Sequence, residues 1–553
     1  MKKFAKKVVP FILIFALLLS YSTVVAADEE ENALRTVYEP ITALVAPPTV
    51  IQEVDTIEKF SALQSDDTPP QVAWFTVQLV EEELVVPFKK RHSATLEDVL
   101  AACKETTIPL FEIADAATAD VLAKRLFSTG EFDTIIASAS KEVLLAAHET
   151  DMFYNTHSHT YAYIATGEYD KAVTVSDAHA ANAHMVIVPD ANRETVEYLQ
   201  KRFLSVTLRR VDKSTDRDCV GAAVDCGANG VVIDEPDEAY SLYESVTEET
   251  FVRRAFVVGH RAAPTIAPEN TVEGMIAAYE AGADAVECDI YLTKDNHLLL
   301  NHNGNIRGYT TDTTAKGHIA TLTREELKQY TLKAVGDNDN CKFAFLDEFF
   351  DVLKTKPDKM LVVEIKDYNQ KTLTHLRELV EEYGIQEQLV FICFSMDVLK
   401  FLRAEIPDAS ISFLYNDYLA VEVLDLIDDS GASASPAYVI TPETVAALHY
   451  RGVTTNIWTV NGIVQLQYIA ANGAQFLTTD NPDLSAQLLE YFGDMSCQAT
   501  FGFTPTAVKT VFEKDSPAIL DYWWLFAIAA VVLVGATVLV VWSIKRKKGA
   551  ANA

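Results

Sequence analysis

The chain has 553 residues, 49% of them hydrophobic, and no long low-complexity tract, a size that excludes a single domain and fits about two to four. Its formal net charge of -33 excludes nucleic-acid or anionic-membrane binding through general electrostatics. Seven cysteines occur with no CxxC pair and no His/Cys spacing of the zinc kind; only Cys219 and Cys226 are close enough in sequence to suggest a bridge, and small buried thiols are the simpler reading.

In chain order, residues 1–27 have a lysine-rich start, an apolar run from Val8 to Leu19 and small residues at Ala26 and Ala27, the layout of a cleaved secretory signal. Residues 28–70, with Pro47-Pro48 and Pro69-Pro70 and weak periodicity, read as a partly ordered lead-in. From 71 to 245 short apolar runs (Val72–Leu79, Ile108–Ile113, Thr134–Ser138, His184–Val188, Gly230–Ile233) alternate with helical stretches, and from 251 to 487 the alternation returns with stronger strands. Strand then helix, repeated, predicts parallel sheets with crossover helices. The second segment is close to the roughly 250 residues of a (β/α)8 barrel. Residues 488–521 read as a stalk. Trp523–Ile544 carries no charge, is long enough to cross a hydrocarbon core of about 30 Å, and is flanked by Tyr522, Trp524, Trp542 and the basic run Lys545-Arg546-Lys547-Lys548. That pattern predicts one transmembrane helix with the tail 545–553 in the cytoplasm and the rest outside the cell.

The two segments also resemble each other. LFEIAD at 110–115 matches VVEIKD at 362–367, KEVLLAA at 141–147 lies against MDVLKFL at 396–402, LQKRFLSVTLRRVD at 199–212 against LHYRGVTTNIWTVN at 448–461, and GANGVVIDEPD at 227–237 against GAQFLTTDNPD at 473–483. Four matches in the same order argue for internal duplication. The first copy is shorter and matches only the later part of the second, so the expectation is a truncated or eroded barrel-like domain.

Polar residues crowd the second copy after its apolar runs. Phe256–Gly259 reads as a strand ending at His260 and Arg261; Glu287 and Asp289 share one face of the next strand. Leu298–Leu300 reads as a third strand ending at His302, and Met360–Val363 leads into Glu364 and Lys366. In a parallel barrel all C-terminal strand ends open on one rim, which gathers these residues. Three carboxylates without a thiolate suit a hard divalent cation, Ca²⁺ or Mg²⁺. Two histidines divide acid and base work, and Arg and Lys neutralise a phosphoryl group, so metal-assisted cleavage of a phosphate ester is expected.

The segment GHRAAPTIAPENTVEGMIAAYEAGADAVECDIYLTKDNHLLLNHN, with VVEIKD, WTVN and LTTDNPD, resembles the glycerophosphodiester phosphodiesterase family over about 251–487. The resemblance implies a TIM barrel that hydrolyses glycerophosphodiesters to glycerol 3-phosphate and an alcohol, through attack of a glycerol hydroxyl on phosphorus and opening of the cyclic phosphate by water. It implies His260 and His302 as the acid/base pair and Glu287, Asp289 and Glu364 as metal ligands. Arg261 and Lys366 would hold the phosphate, Glu269 and Asn270 would support the site, and Trp458 would line the pocket. Two positions depart from the family pattern: Ala262 stands where a glycine is usual, and Asn303 where an aspartate is usual. The first copy keeps Glu112 opposite Glu364, but has Ala114 for Lys366 and Arg209 for Trp458, and is expected to be non-catalytic; His157, His159, His179 and His184 form only a loose histidine-rich stretch. Polymeric glycerophosphate such as teichoic acid, or a lysophospholipid, are alternative substrates, and a non-catalytic surface binding protein is the alternative of another class.

Overall fold

Runs such as Met185–Val188 (MVIV) and Gly230–Ile233 (GVVI) are buried at every position instead of alternating, as parallel strands covered on both faces must be. The computed structural model describes residues 34–89, 92–154, 159–210, 214–247, 249–428, 430–484 and 487–488. The signal segment, the transmembrane segment, the basic tail, His157 and all but the first residue of the stalk lie outside them. Among the described residues, no helix is long and apolar enough to cross a membrane.

Eight parallel strands form the first barrel: β1 (Thr49–Glu53), β2 (Val72–Thr76), β3 (Ile108–Glu112), β4 (Thr134–Ser138), β5 (His159–Ile164), β6 (Met185–Val188), β7 (Ser205–Leu208) and β8 (Gly230–Ile233). The ring is closed, β8 pairing with β1. This corrects two expectations. The first copy is not truncated in its strand count, and the supposed lead-in supplies strand β1. The proline pairs punctuate strand entry: the carbonyls of Pro48 and Pro69 accept hydrogen bonds from the Tyr243 and Tyr240 hydroxyls, both at 2.8 Å. The run from Val72 ends as a barrel strand at Thr76, because a three-stranded antiparallel sheet (Gln78–Val80, Glu83–Phe88, His92–Thr95) is inserted before the next helix.

The second barrel contains β9 (Phe256–Gly259), β10 (Ala285–Leu292), β12 (Met360–Ile365), β13 (Leu389–Cys393), β14 (Ser410–Tyr415), β15 (Ser433–Pro436), β16 (Asn456–Ile457) and β17 (Phe476–Thr479). Parallel bridges from Ala434 to Thr455 and from Ala437 to Trp458 join β15 to β16 and close the ring. The intervening β11 (Leu298–Leu300) is antiparallel to β10 and off the barrel path, so His302 does not end a third barrel strand. Cys219 and Cys226 are buried thiols on one helix, not bridged to each other, and the other described cysteines are buried as well.

The barrels pack base to base, N-terminal strand ends inward, about a pseudo-twofold axis. Phe203, just before β7, enters the interior cluster of the second barrel and stacks on Phe476 at 4.2 Å; Tyr450 packs against the interior cluster of the first. Arg451 makes a buried bidentate pair with Asp133 (2.6 and 2.5 Å), and the aligned Arg202 approaches Glu387 at 3.9 Å. Ser433 donates to the Phe203 carbonyl at 3.0 Å. In the mirror position, Gly452 stands where the first copy has Phe203, and a Cβ on it would lie 2.5 Å from Met185, the counterpart of Ser433. Such reciprocity is the mark of an isologous interface. The two rims therefore open in opposite directions.

Candidate active site

Strand register builds the cluster. Asp289 lies beside Glu364 across β10 and β12, and Glu287 is two residues back on the same face. All three are buried, with ligand oxygens within 4.8 Å of one another, the single such carboxylate/histidine/thiol group among the described residues. Glu287 Oε1, Asp289 Oδ1 and Glu364 Oε1 have no hydrogen-bond partner. Lys366 Nζ stands 2.7 Å from Glu364 and 3.3 Å from Asp289, close enough for ion pairing but without hydrogen-bond alignment. Burial, then the charges of Asp289 and Glu364, push the Glu287 carboxyl well above its usual range. Burial and Asp289 likewise raise Glu364 to about 7. Burial works against the charged Lys366, but Asp289 and Glu364 outweigh it and hold its ammonium. Buried acids with unsatisfied oxygens fit a hard cation, which removes both the repulsion and the desolvation cost.

After β9 the chain turns through three consecutive left-handed residues, Arg261 (φ 46°), Ala262 (φ 55°) and Ala263 (φ 59°). The turn aims the Arg261 N–H at Glu287 Oε2 (2.7 Å) and leaves the Arg261 guanidinium between Glu269 (3.4 Å) and Asp289 (3.9 Å). Ala262 thus occupies a conformation that favours glycine, and its carbonyl comes so close to the next helix that a Cβ on Gly274 would lie 2.1 Å away. Asn270, also left-handed (φ 59°), brackets Asp289 by donating to Oδ2 at 2.9 Å and accepting from the Asp289 N–H at 3.1 Å.

His260 Nδ1 is 2.6 Å from Asp480 Oδ1, and its Nε2 is 4.0 Å from Glu287 Oε2. Burial works against the Asp480 carboxylate, but His260 and Asn461 outweigh it and hold its pKa below the usual value, so Asp480 is the acceptor for the His260 Nδ1 hydrogen and Nε2 is the ring nitrogen turned toward Glu287. The β10–β11 hairpin brings His302 back beside β10, where Asn301 N–H donates to the Asp289 carbonyl at 3.0 Å. Burial first, then Arg261, Lys366 and His260, lower the His302 pKa to about 4 against the pull of Asp289. Asn303 is exposed and donates to the Tyr309 hydroxyl at 2.7 Å. Trp458 follows β16, anchored by Nε1 to the Ser435 carbonyl at 2.8 Å. All ten residues expected from the sequence lie on the rim side of this one barrel. Asp480 was missed, although it sits in the closing LTTDNPD motif and follows β17 directly, so the strand-end rule already marked it.

The same registers superpose the first barrel's mouth on this one. Glu53 pairs with Trp74, and Thr76 with Glu112, as Asp289 pairs with Glu364. Trp74 therefore stands at the place of Glu287, Thr76 at that of Asp289 and Glu53 at that of His260. The retained Glu112 accepts from the Trp74 indole N–H (3.0 Å) and Thr76 (3.2 Å), while Arg209 bonds Glu53 (3.0 Å) and lies over Trp74 at 4.4 Å. His159, His179 and His184 are buried and not gathered into a site with carboxylates; His159 bonds Thr134 and His179 bonds the Arg202 carbonyl.

A closed (β/α)8 barrel with buried carboxylates, two histidines and two cationic side chains on its C-terminal rim defines a hydrolase of phosphate esters. Residues 260–484 match the model of the glycerophosphoryl diester phosphodiesterase family. The second barrel belongs to that family, and the chain is a phosphoric diester hydrolase of the glycerophosphodiester type. It is similar to the glycerophosphodiester phosphodiesterase of Caldanaerobacter subterraneus subsp. tengcongensis (27% identity over 248 residues, 43% of this chain and 100% of that protein). It is also similar to that of Bacillus altitudinis (24% over 242 residues, 42% and 98%). Among solved structures, a putative glycerophosphoryl diester phosphodiesterase from Silicibacter pomeroyi is similar with TM-score 0.40 and 22% identity, covering 42% of this chain and 93% of that one. An Oleispira antarctica phosphodiesterase in complex with the product sn-glycerol-3-phosphate has TM-score 0.38 and 21% identity, covering 43% and 97%.

Proposed function

We propose that the second barrel hydrolyses glycerophosphodiesters to glycerol 3-phosphate and an alcohol in a reaction that depends on a divalent cation, Ca²⁺ or Mg²⁺. The observation that carries this reading is the set of three buried carboxylates, each with an oxygen that lacks a hydrogen bond, beside two histidines on one rim. Glu287, Asp289 and Glu364 hold the cation, which when bound neutralises charge on the phosphoryl oxygens. Arg261 and Lys366 add positive charge for the phosphate. His260, oriented by Asp480, takes a proton at Nε2, and His302, kept neutral by its surroundings, is the second proton carrier. Glu269 and Asn270 fix Arg261 and Asp289, and Trp458 lines the opposite wall.

The first barrel is non-catalytic in this reading, since Trp74 and Thr76 stand where ligands would be and Glu112 is already satisfied. The basic, apolar leader and the uncharged stretch Trp523–Ile544 support an outer-surface enzyme held by one C-terminal helix. Release of glycerol 3-phosphate from glycerophosphocholine with Mg²⁺ or Ca²⁺, abolished by His260→Ala and by chelation, tests the activity. No turnover of any phosphodiester despite bound metal would overturn it. Protease accessibility of the barrels on intact cells tests the location.

A further inference from the structure

We propose that Asn461 is a positioning residue for the reaction: its side-chain amide holds Asp480 as a hydrogen-bond acceptor and, through Asp480, sets which ring nitrogen His260 presents to the site. This rests on the hydrolase reading above. The loops after β16 and β17 meet beside His260. Asn461 Oδ1 accepts from the Asp480 N–H at 2.9 Å and from the Thr479 hydroxyl at 3.4 Å, and Asn461 Nδ2 donates to Asp480 Oδ2 at 2.6 Å. Asp480 Oδ1 is left for His260 Nδ1, also at 2.6 Å. The two loops are tied through their backbones as well: the Asn461 carbonyl accepts from Asn481 Nδ2 at 3.0 Å, and the Asp480 carbonyl accepts from the Thr265 hydroxyl at 2.7 Å.

The direction of each bond follows from what an amide can do. Its oxygen only accepts and its nitrogen only donates. With Oδ1 committed to the Asp480 N–H, the Asn461 amide nitrogen must face Oδ2, where a carboxyl hydrogen would point at a second donor. Asp480 is therefore held as an ionised acceptor, and the hydrogen in its bond to His260 is the one on Nδ1. The amide passes the polarity of a backbone N–H on to the imidazole without adding charge. The duplication supplies an internal control. The aspartate persists in the first copy as Asp234, but the residue aligned with Asn461 is Asp212, and Glu53 stands at the place of His260. Neither acid can donate once ionised. Asp234 instead pairs with Lys59 at 2.8 Å, and its N–H goes to Asp216 at 3.1 Å. The aspartate thus occurs in both copies, and the amide only beside the histidine.

The test uses the full chain with glycerophosphocholine. Asn461→Ala should lower kcat about tenfold, with KM and Mg²⁺ affinity within about twofold of wild type, because it frees a base-orienting group that touches neither substrate nor cation. Asn461→Asp is the more telling variant. Two carboxylates this close share one proton. Below the pKa of the pair that proton stands in for the amide hydrogen; above it, repulsion drives Asp480 away from His260. The kcat of Asn461→Asp relative to wild type should therefore fall as pH rises, whereas that of Asn461→Ala should stay constant. The same ionisation is readable without turnover. The folded pair keeps a proton that the unfolded chain releases near pH of about 4, so the melting temperature of Asn461→Asp relative to wild type should fall as pH rises from there through the pKa of the pair. Ratios of kcat and melting temperature that do not change with pH in Asn461→Asp overturn the proposal, as does a loss in Asn461→Ala carried by KM or by Mg²⁺ binding. A pH-dependent melting shift without wild-type turnover of any diester sinks the hydrolase reading and upholds the clamp on Asp480.

Discussion

Asn229 and Gln475 occupy the same place in the two copies, one residue before the last strand of each barrel, and the Asn229 side-chain amide donates to Gln475 Oε1 at 2.9 Å. A residue that contacts its own counterpart lies on the pseudo-twofold axis. The first barrel therefore takes the position that a second subunit would hold in a symmetric dimer.

The Arg451–Asp133 pair is the strongest ionic link across that base, with side chains 2% and 6% exposed. Arg451→Ala leaves Asp133 buried with only Arg35 for company and should cost about 3 kcal/mol. The double variant Arg451→Met/Asp133→Asn should recover much of this. Urea denaturation of the wild type, Arg451→Met, Asp133→Asn and the double variant gives the coupling, and a loss below about 0.5 kcal/mol for Arg451→Ala would refute the expectation.

Acid should loosen the same interface. Burial, then the Arg403 charge, holds His179 and His184 down to about 3, against an ordinary 6.5. The folded state refuses protons that the unfolded chain accepts, so stability is full above pH 6.5 and falls as pH drops toward 3. The slope is up to about 1.4 kcal/mol per pH unit for each histidine. Chemical denaturation at pH 8, 6 and 5 reads it, and His179→Gln should flatten it by up to one proton.

Asp480 is a positioning residue for His260. Asp480→Asn should lower kcat by about 10²- to 10⁴-fold with KM and metal affinity little changed, and should displace the acidic limb of the pH–rate profile, which reports the base. A proportional loss of metal binding would show a structural role instead.

Removing a ligand should separate metal affinity from fold stability. Without cation, Glu364→Gln relieves buried repulsion and should raise the melting temperature; with cation at about 100 times its Kd, the wild type should gain about 2.7 kcal/mol and the variant much less. Thermal melts with Mg²⁺, Ca²⁺ and chelator distinguish these outcomes.

Ala262→Gly should stabilise the chain by about 1 kcal/mol, because φ of 55° costs alanine and not glycine. Equal or lower stability would mean that the buried methyl contributes more packing than the turn costs. Asn303 is not expected to matter comparably, since it reaches Tyr309 and not His302.

The sequence by itself determined what strand periodicity and strand ends determine. Glu287-x-Asp289 and Glu364-x-Lys366 share faces because side chains alternate, and parallel strands place all such ends on one rim. It also determined the duplication, through ordered matches that strand register now extends to Trp74, Thr76 and Glu53. Only the tertiary structure decided ring closure, because Thr49–Glu53 looks like part of a weakly periodic lead-in until β8 and β2 are found on either side of it. The approach of Asp480 to His260 is likewise invisible locally, since 220 residues separate them and only the pairing of β17 with β9 makes them neighbours. Base-to-base packing depends on which surfaces remain uncovered once both barrels are closed, and no local pattern of residues encodes that.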